Sequence, residues 1–266
     1  MNIILCGPGR SGTTLFNSLF SYHKDFAWIS GWLNKFPDSP TLCYFNQIYQ
    51  NQFLGINWSN IKYAPKPAEA YGYWNHFFYP FTSHNYEFTK EQILAVKTSI
   101  HKIKTFTKKP HFVTKITGDT RYQILSEIFG DDLIFLWIER DPRVVVSSYI
   151  KQKWGYKNNP EKFGKLSMQE KIEVNASRYL DYFYQAKELN KKLLFYEDLC
   201  ANPLMFFESL FSDLNLEFNE NQSKIIENWT IKPVTWENDY SKKYDGESQL
   251  LINELLREPL DYYNYT

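Results

Sequence analysis

A chain of 266 residues, 43% hydrophobic and 23% charged, has ordinary globular composition and fits one large α/β domain or two small ones, with enough apolar side chains for a full core. Thirty basic residues balance thirty acidic ones, which excludes the global field that gathers a protein onto nucleic acid or an anionic membrane, so any anion site must be local. Three scattered cysteines, and five histidines without HExxH or HxxxH spacing, give neither a disulfide framework nor a metal site; they point to a reducing, cytoplasmic compartment.

The opening run Ile3-Ile4-Leu5-Cys6 is too short for a signal segment and reads as a buried strand. No later run approaches the roughly 20 apolar residues of a spanning helix, so no membrane span is expected. A Gly-rich turn follows, and then residues 13–22 carry Leu15, Leu19 and Phe20 at helical spacing. From about 26 to 89 the signals are irregular, with Pro37, Pro40, Pro65, Pro67 and Pro80 among aromatic clusters; residues 31–90 read as an elaboration of one domain spanning 1–266. Thr89-Lys-Glu-Gln92 is a capping box, and Ile93, Val96, Ile100 and Ile103 follow at helical spacing.

A strand is expected at 111–115, then Asp119 as the cap of a helix carrying Ile124, Leu125, Ile128 and Phe129 and closed by Gly130. Leu133-Ile-Phe-Leu-Trp-Ile138 is apolar on both faces, as a central parallel strand must be. Asp141-Pro142 opens a further helix, and Ile172, Ala176, Tyr179, Phe183 and Ala186 share one face of a long helix over 168–190. A strand at 192–196 and helices near 203–214 and 220–228 complete the pattern. Alternating strands and helices predict a three-layer α/β fold, a central parallel sheet flanked by helices, with ligands beyond the strands' carboxyl ends.

The turn Gly7-Pro-Gly-Arg-Ser-Gly12 offers backbone N–H groups that can converge on an anion, and the helix behind it adds its positive end. Thr13 and Thr14 add hydroxyls, and Arg10 adds a planar cationic fork. The spacing is that of a Walker A loop, but Thr13 stands where that loop has Lys, which argues against ATP with magnesium. The same glycines also suit a plain strand-to-helix turn.

The string Gly7-Pro-Gly-Arg-Ser-Gly-Thr-Thr-Leu15 resembles the 5′-phosphosulfate loop of sulfotransferases that use 3′-phosphoadenosine-5′-phosphosulfate (PAPS). Arg140-Asp-Pro-Arg-Val-Val-Val-Ser-Ser148 is similar to the family's 3′-phosphate motif, and Tyr196-Glu-Asp-Leu199 to a segment whose Tyr faces the adenine. Taken alone, Arg140 reads equally as a surface ion-pair partner, Ser148 as a small packing residue, and Asp198 as a helix cap. Ile231-Lys-Pro-Val234 and Ser241-Lys-Lys243 look like the tail that closes over the nucleotide in tyrosylprotein and carbohydrate sulfotransferases, with Lys242 a candidate ligand. The resemblance implies the P-loop-like sulfotransferase fold, a donor site of Gly9, Arg10, Ser11, Gly12, Thr13, Thr14, Arg140, Ser148, Tyr196 and Lys242, and sulfuryl transfer without a metal.

The general base is not at either of the family's usual positions. Lys115-Ile-Thr117 has Thr where the cytosolic enzymes have His, and Ser30-Gly31 stands where the Golgi-type enzymes have Glu. Among Glu69, Asp119, His76 and His101, Glu69 is chosen because a carboxylate inside an aromatic stretch can be desolvated; the alternative is a first-turn Glu on a helix dipole. Trp28, Trp32, Trp58, Trp74 and Phe77 read as a stacking platform for sugar rings or as core. The expected acceptor is a hydroxyl on a carbohydrate, a glycan or glycolipid, or another small hydroxyl compound. A non-catalytic nucleotide-binding protein on the same fold and a P-loop small-molecule kinase are the other readings.

Overall fold

Every residue of β1 (Asn2–Gly7) is buried, so the strand needs a partner on each edge. The computed structural model describes residues 1–50, 61–81, 87–153, 159–228, 231 and 233–265. After β1 come α1 (Thr13–Tyr22), β2 (Phe26–Trp28) and α2 (Gly31–Lys35), then a 3-10 turn at Pro40–Phe45, α3 (Asn46–Gln50) and α4 (Tyr71–Phe77). The chain continues through α5 (Lys90–Thr107), β3 (His111–Thr117), α6 (Tyr122–Phe129), β4 (Leu133–Glu139), α7 (Pro142–Gln152), α8 (Pro160–Lys165) and α9 (Met168–Lys187). It closes with β5 (Lys192–Phe195), α10 (Tyr196–Ala201), α11 (Pro203–Asp213), α12 (Glu220–Glu227), α13 (Gly246–Leu255) and α14 (Arg257–Tyr263).

Among the described residues the sheet has the order β2-β3-β1-β4-β5. β1 pairs in parallel with β3, Ile4 opposite Thr114, and with β4, Ile4 opposite Phe135. No helix of the described residues is long and apolar enough to cross a membrane. Internal contacts divide the chain into two compact units: Met1–Gly7, Thr13–Trp137 and Leu189–Lys192 form one, and Pro8–Gly12, Ile138–Glu188 and Leu193–Thr266 the other.

In the first unit, Ile3, Ile4 and Leu5 of β1 and Phe16, Leu19 and Phe20 of α1 are fully buried, each worth about 1.5–3 kcal/mol of transfer free energy. In the second, α7 supplies Val144, Val145, Val146 and Tyr149 to a core shared with Ile172, Tyr179 and Phe183 of α9 and with Ile252, Leu256 and Leu260. The face expected for α9 is the face that packs.

Several local signals act as expected. Thr89 and Gln92 form the reciprocal cap of α5, and Gly130 closes α6 at φ +55°. Asp141 caps α7 by accepting from Arg143 N–H, with Pro142 at the first helical position. Other signals are overruled. Arg121, not Asp119, precedes α6, and the Asp119 carboxylate pairs with the Arg121 guanidinium at 2.9 Å. Asn202, not Asp198, caps α11 by accepting from Met205 N–H. Tyr196 is the first residue of α10 and not the last of β5. The irregular stretch contains β2, three residues paired among the described residues with β3, too short to leave a periodicity.

Candidate active site

The residues expected to bind one ligand fall in both units. In the second unit, the loop leaving β1 turns at Arg10, whose φ of +74° is a left-handed conformation costing a non-glycine residue on the order of 1–2 kcal/mol. The turn carries the exposed Arg10 side chain between buried Gly9 and Ser11. Arg10 Nε donates to Ser148 Oγ at 3.0 Å, joining the loop to α7 across 138 residues. The family resemblance implied opposite ends of a nucleotide for these two side chains; the fold puts them in hydrogen-bond contact.

Arg140 follows the last residue of β4. Its Nη1 donates to the Arg10 carbonyl at 3.3 Å and its Nη2 to the Val234 carbonyl at 2.9 Å, while the guanidinium carbon lies 4.4 Å from the Tyr196 ring centroid. Tyr196 in turn covers Gly12, where φ is +99° and a side chain would meet the ring. Burial pushes the Tyr196 phenol up to about 12, helped by Cys200, so the ring is a neutral stacking face. Ser11 Oγ and Arg140 Nε are buried without a protein partner among the described residues.

The backbone that delivers Arg140 is itself pinned. Glu139, fully buried, accepts from Arg140 N–H at 3.1 Å and from the Tyr179 hydroxyl at 2.9 Å. Beyond Val234, Trp236 stacks on Tyr244 and lies near Arg143, which forks onto Asp141. Lys242 is exposed in the short 3-10 turn Ser241–Lys243 that follows. Lys232, in the motif that singled out this tail, lies outside the described residues.

In the first unit, the segment before α4 runs antiparallel to the exit of β2. Ser30 bridges Pro67, Gly31 N–H donates to Lys66 O at 2.8 Å, and Ala68 N–H donates to Ile29 O at 3.0 Å. Glu69 is thereby presented to β3. Its carboxylate accepts from Thr117 Oγ1 and lies 3.5 Å from Lys115 Nζ. Lys115 also donates to Thr14 Oγ1 at 2.9 Å, and the Tyr71 hydroxyl donates to the Thr117 carbonyl at 2.7 Å.

The environment of Glu69 differs from the desolvated pocket expected. Its side chain is 40% exposed and faces an ammonium, because the proline-rich segment ends at the sheet edge and not inside the aromatic cluster. It is also not in a first helical turn, since α4 begins two residues later. The other base candidates are elsewhere occupied: Asp119 with Arg121, His76 with Asp38 at 3.0 Å, and His101 on the exposed face of α5. Lys115 is the residue that reading the sequence passed over. Its signal was present: an ionisable side chain inside an apolar strand, 6% exposed, has to be held by acceptors.

The aromatic platform needs a correction too. Trp28 and Trp74 are 2% and 0% exposed and belong to the core, as buried sheet and helix positions require. Trp58 lies outside the described residues. Trp32 donates to the Tyr63 carbonyl at 2.8 Å and packs 5.4 Å from Phe45; Tyr44, Phe45 and Tyr63 are exposed.

The model of the sulfotransferase family matches residues 2–220 of the chain. The protein belongs to the sulfotransferase family. The match spans the loop after β1, Arg140, Ser148 and Tyr196, and the enzyme is accordingly a sulfotransferase, not a kinase. This sulfotransferase is similar in fold to sulfotransferase STF9 from Mycobacterium avium, with 14% identity and a TM-score of 0.61 over 98% of this chain and 76% of that one. It is also similar to sulfotransferase STF1 from Mycobacterium tuberculosis H37Rv, with 12% identity and a TM-score of 0.55 over 96% of this chain and 75% of that one. No curated protein matches the sequence. At these identities the likeness to the solved structures speaks for the fold: the α/β layering around a parallel sheet is that of the sulfotransferases.

Proposed function

We propose that this sulfotransferase takes PAPS as its donor and transfers the sulfuryl group to a hydroxyl on a carbohydrate. The observation that carries the donor is the 3.0 Å contact of Arg10 Nε with Ser148 Oγ, which links the loop and the α7 motif directly. The two buried, unpartnered atoms Ser11 Oγ and Arg140 Nε add to it. Leaving such donors unsatisfied costs about 1–3 kcal/mol each, and phosphate oxygens are the acceptors that fit them.

In this reading Gly9, Arg10, Ser11, Gly12, Thr13 and Thr14 hold the 5′-phosphosulfate. Arg140 and Ser148 hold the 3′-phosphate, Tyr196 stacks on adenine, and Lys242 closes onto the nucleotide from the tail. The acceptor oxygen bonds to sulfur as sulfur's bond to the bridging phosphate oxygen breaks. The hydroxyl proton passes to Glu69, and the electron pair of the broken bond leaves with 3′,5′-adenosine bisphosphate. Arg10 and the loop N–H groups neutralise the charge that develops on the leaving phosphate, as positioned donors do in phosphoryl transfer. Lys115 orients the Glu69 carboxylate and, through Thr14, ties it to the helix that continues the loop.

The carbohydrate reading draws on the exposed rings of Tyr44, Phe45 and Tyr63 around Trp32, in the same unit as Glu69, since sugar rings pack on aromatic faces. Titration with 3′,5′-adenosine bisphosphate against ATP with magnesium tests the donor; tight ATP binding with none of the bisphosphate refutes it. Transfer of labelled sulfate from PAPS to a panel of glycans and simple alcohols tests the acceptor. Sulfation of the alcohols alone removes the carbohydrate assignment.

A further inference from the structure

Arg140 leaves β4 and Tyr196 leaves β5, so their 4.4 Å contact depends on two strand ends being held in register. The neighbouring residues make that tie. Glu197 Oε1 accepts from the backbone N–H of Asp141 at 3.1 Å, and Glu197 Oε2 accepts from the Tyr265 hydroxyl at 2.7 Å. One carboxylate thus connects the residue after Arg140, the residue after Tyr196, and the chain beyond α14. The Asp141 carboxylate is committed elsewhere, to Arg143 at 2.8 Å.

Local structure explains how Tyr265 reaches this point. α14 ends at Asn264 with φ +61°, a left-handed conformation that Asn visits more cheaply than other side-chain-bearing residues. Tyr265 N–H then donates to the Leu260 carbonyl at 2.9 Å, which folds the chain back. The Tyr265 ring meets Phe195, the last residue of β5, edge-on at 6.0 Å. Burial and the Glu197 carboxylate hold the phenol protonated far above its ordinary range, so it is a permanent donor.

We propose that Glu197 and Tyr265 are positioning residues for donor binding, fixing Arg140 against Tyr196 so that the guanidinium meets the 3′-phosphate without reorganising. The inference rests on the reading of Arg140 and Tyr196 as nucleotide ligands. A backbone N–H held by a carboxylate fixes the peptide plane after Arg140 and hence the direction of its side chain. Supports one step removed from a ligand commonly govern affinity in this way.

The variant Tyr265→Phe keeps the ring against Phe195 and removes only the hydroxyl. Affinity for 3′,5′-adenosine bisphosphate, read by calorimetry, is expected to fall about five- to tenfold, the net scale of one ordinary hydrogen bond. Affinity for AMP, which lacks the 3′-phosphate, is expected to change by less than about twofold, because the tie acts on Arg140. The KM for PAPS rises with the bisphosphate Kd while kcat at saturating donor holds. Glu197→Gln, which keeps an acceptor for Asp141 N–H, is expected to lose less than Glu197→Ala, with thermal unfolding confirming that each variant is folded. Equal losses for bisphosphate and AMP, or none for either, overturn the proposal. A wild-type protein that binds neither nucleotide overturns the donor reading itself, and this result is visible before any variant is made.

Discussion

The ring of Tyr196 occupies the space that a side chain at position 12 would need: a Cβ on Gly12 would collide with Cδ2 and lie 2.7 Å from Cε2. The backbone there, at φ +99°, is also one that only glycine adopts freely. Gly12→Ala is therefore expected to displace the ring or the loop. Affinity for 3′,5′-adenosine bisphosphate should fall at least about tenfold and stability by about 1–3 kcal/mol, read by titration and thermal unfolding. An alanine variant that binds as tightly as wild type means that Tyr196 does not cover the nucleotide's path.

Arg10 is exposed yet held by Ser148 in a strained turn, the conjunction expected of a side chain kept ready for a ligand. Arg10→Ala should abolish transfer at saturating donor, a fall of about 10²-fold or more, because in the proposed function the guanidinium stabilises the departing phosphate. Normal turnover in that variant sinks its catalytic role.

In the proposed function Glu69 serves the chemistry and not donor binding, which a variant can separate. Glu69→Gln keeps the size and the hydrogen bond from Thr117 but cannot take a proton. Its kcat should fall about 10²- to 10⁴-fold with donor affinity unchanged. If kcat is retained, the carboxylate serves only to neutralise Lys115, and the base must be sought elsewhere.

Ionisation of Tyr196 gives a test at high pH. The phenol's folded value of about 12 lies above its ordinary value of 10.0, so between these limits the folded state keeps a proton that the unfolded chain has lost. Tyr196 therefore contributes stability below pH 10 that is lost as pH rises toward 12. Chemical denaturation of Tyr196→Phe across this window should show a shallower decline than wild type; parallel curves mean that the ring is not held as described.

What was legible in the sequence was local and repetitive. The apolar strand, glycine turn and helix at the start, the run that became β4, the capping box of α5 and the buried face of α9 are each fixed by neighbours a few residues away. Arg10 could be singled out because it stands in the glycine turn at a strand's exit, and Arg140, Ser148 and Tyr196 because their motifs resemble those of the sulfotransferases. β2 and the Arg121 turn escaped because their geometry is set by contacts with segments far along the chain, β2 by pairing with β3 and Arg121 by donating to the Phe81 carbonyl.

The sequence by itself determined the strand, the glycine turn over residues 7–12 and the helix behind it. Only the tertiary structure decided the contacts between distant residues within each unit: Ser148 on Arg10 and Tyr196 over Gly12 in one, Glu69 on Lys115 in the other. Helix caps and strand patterns follow from bonds between near neighbours. Contacts across 138 residues depend on which strands pair and where the connecting chain returns, and no local signal carries that information.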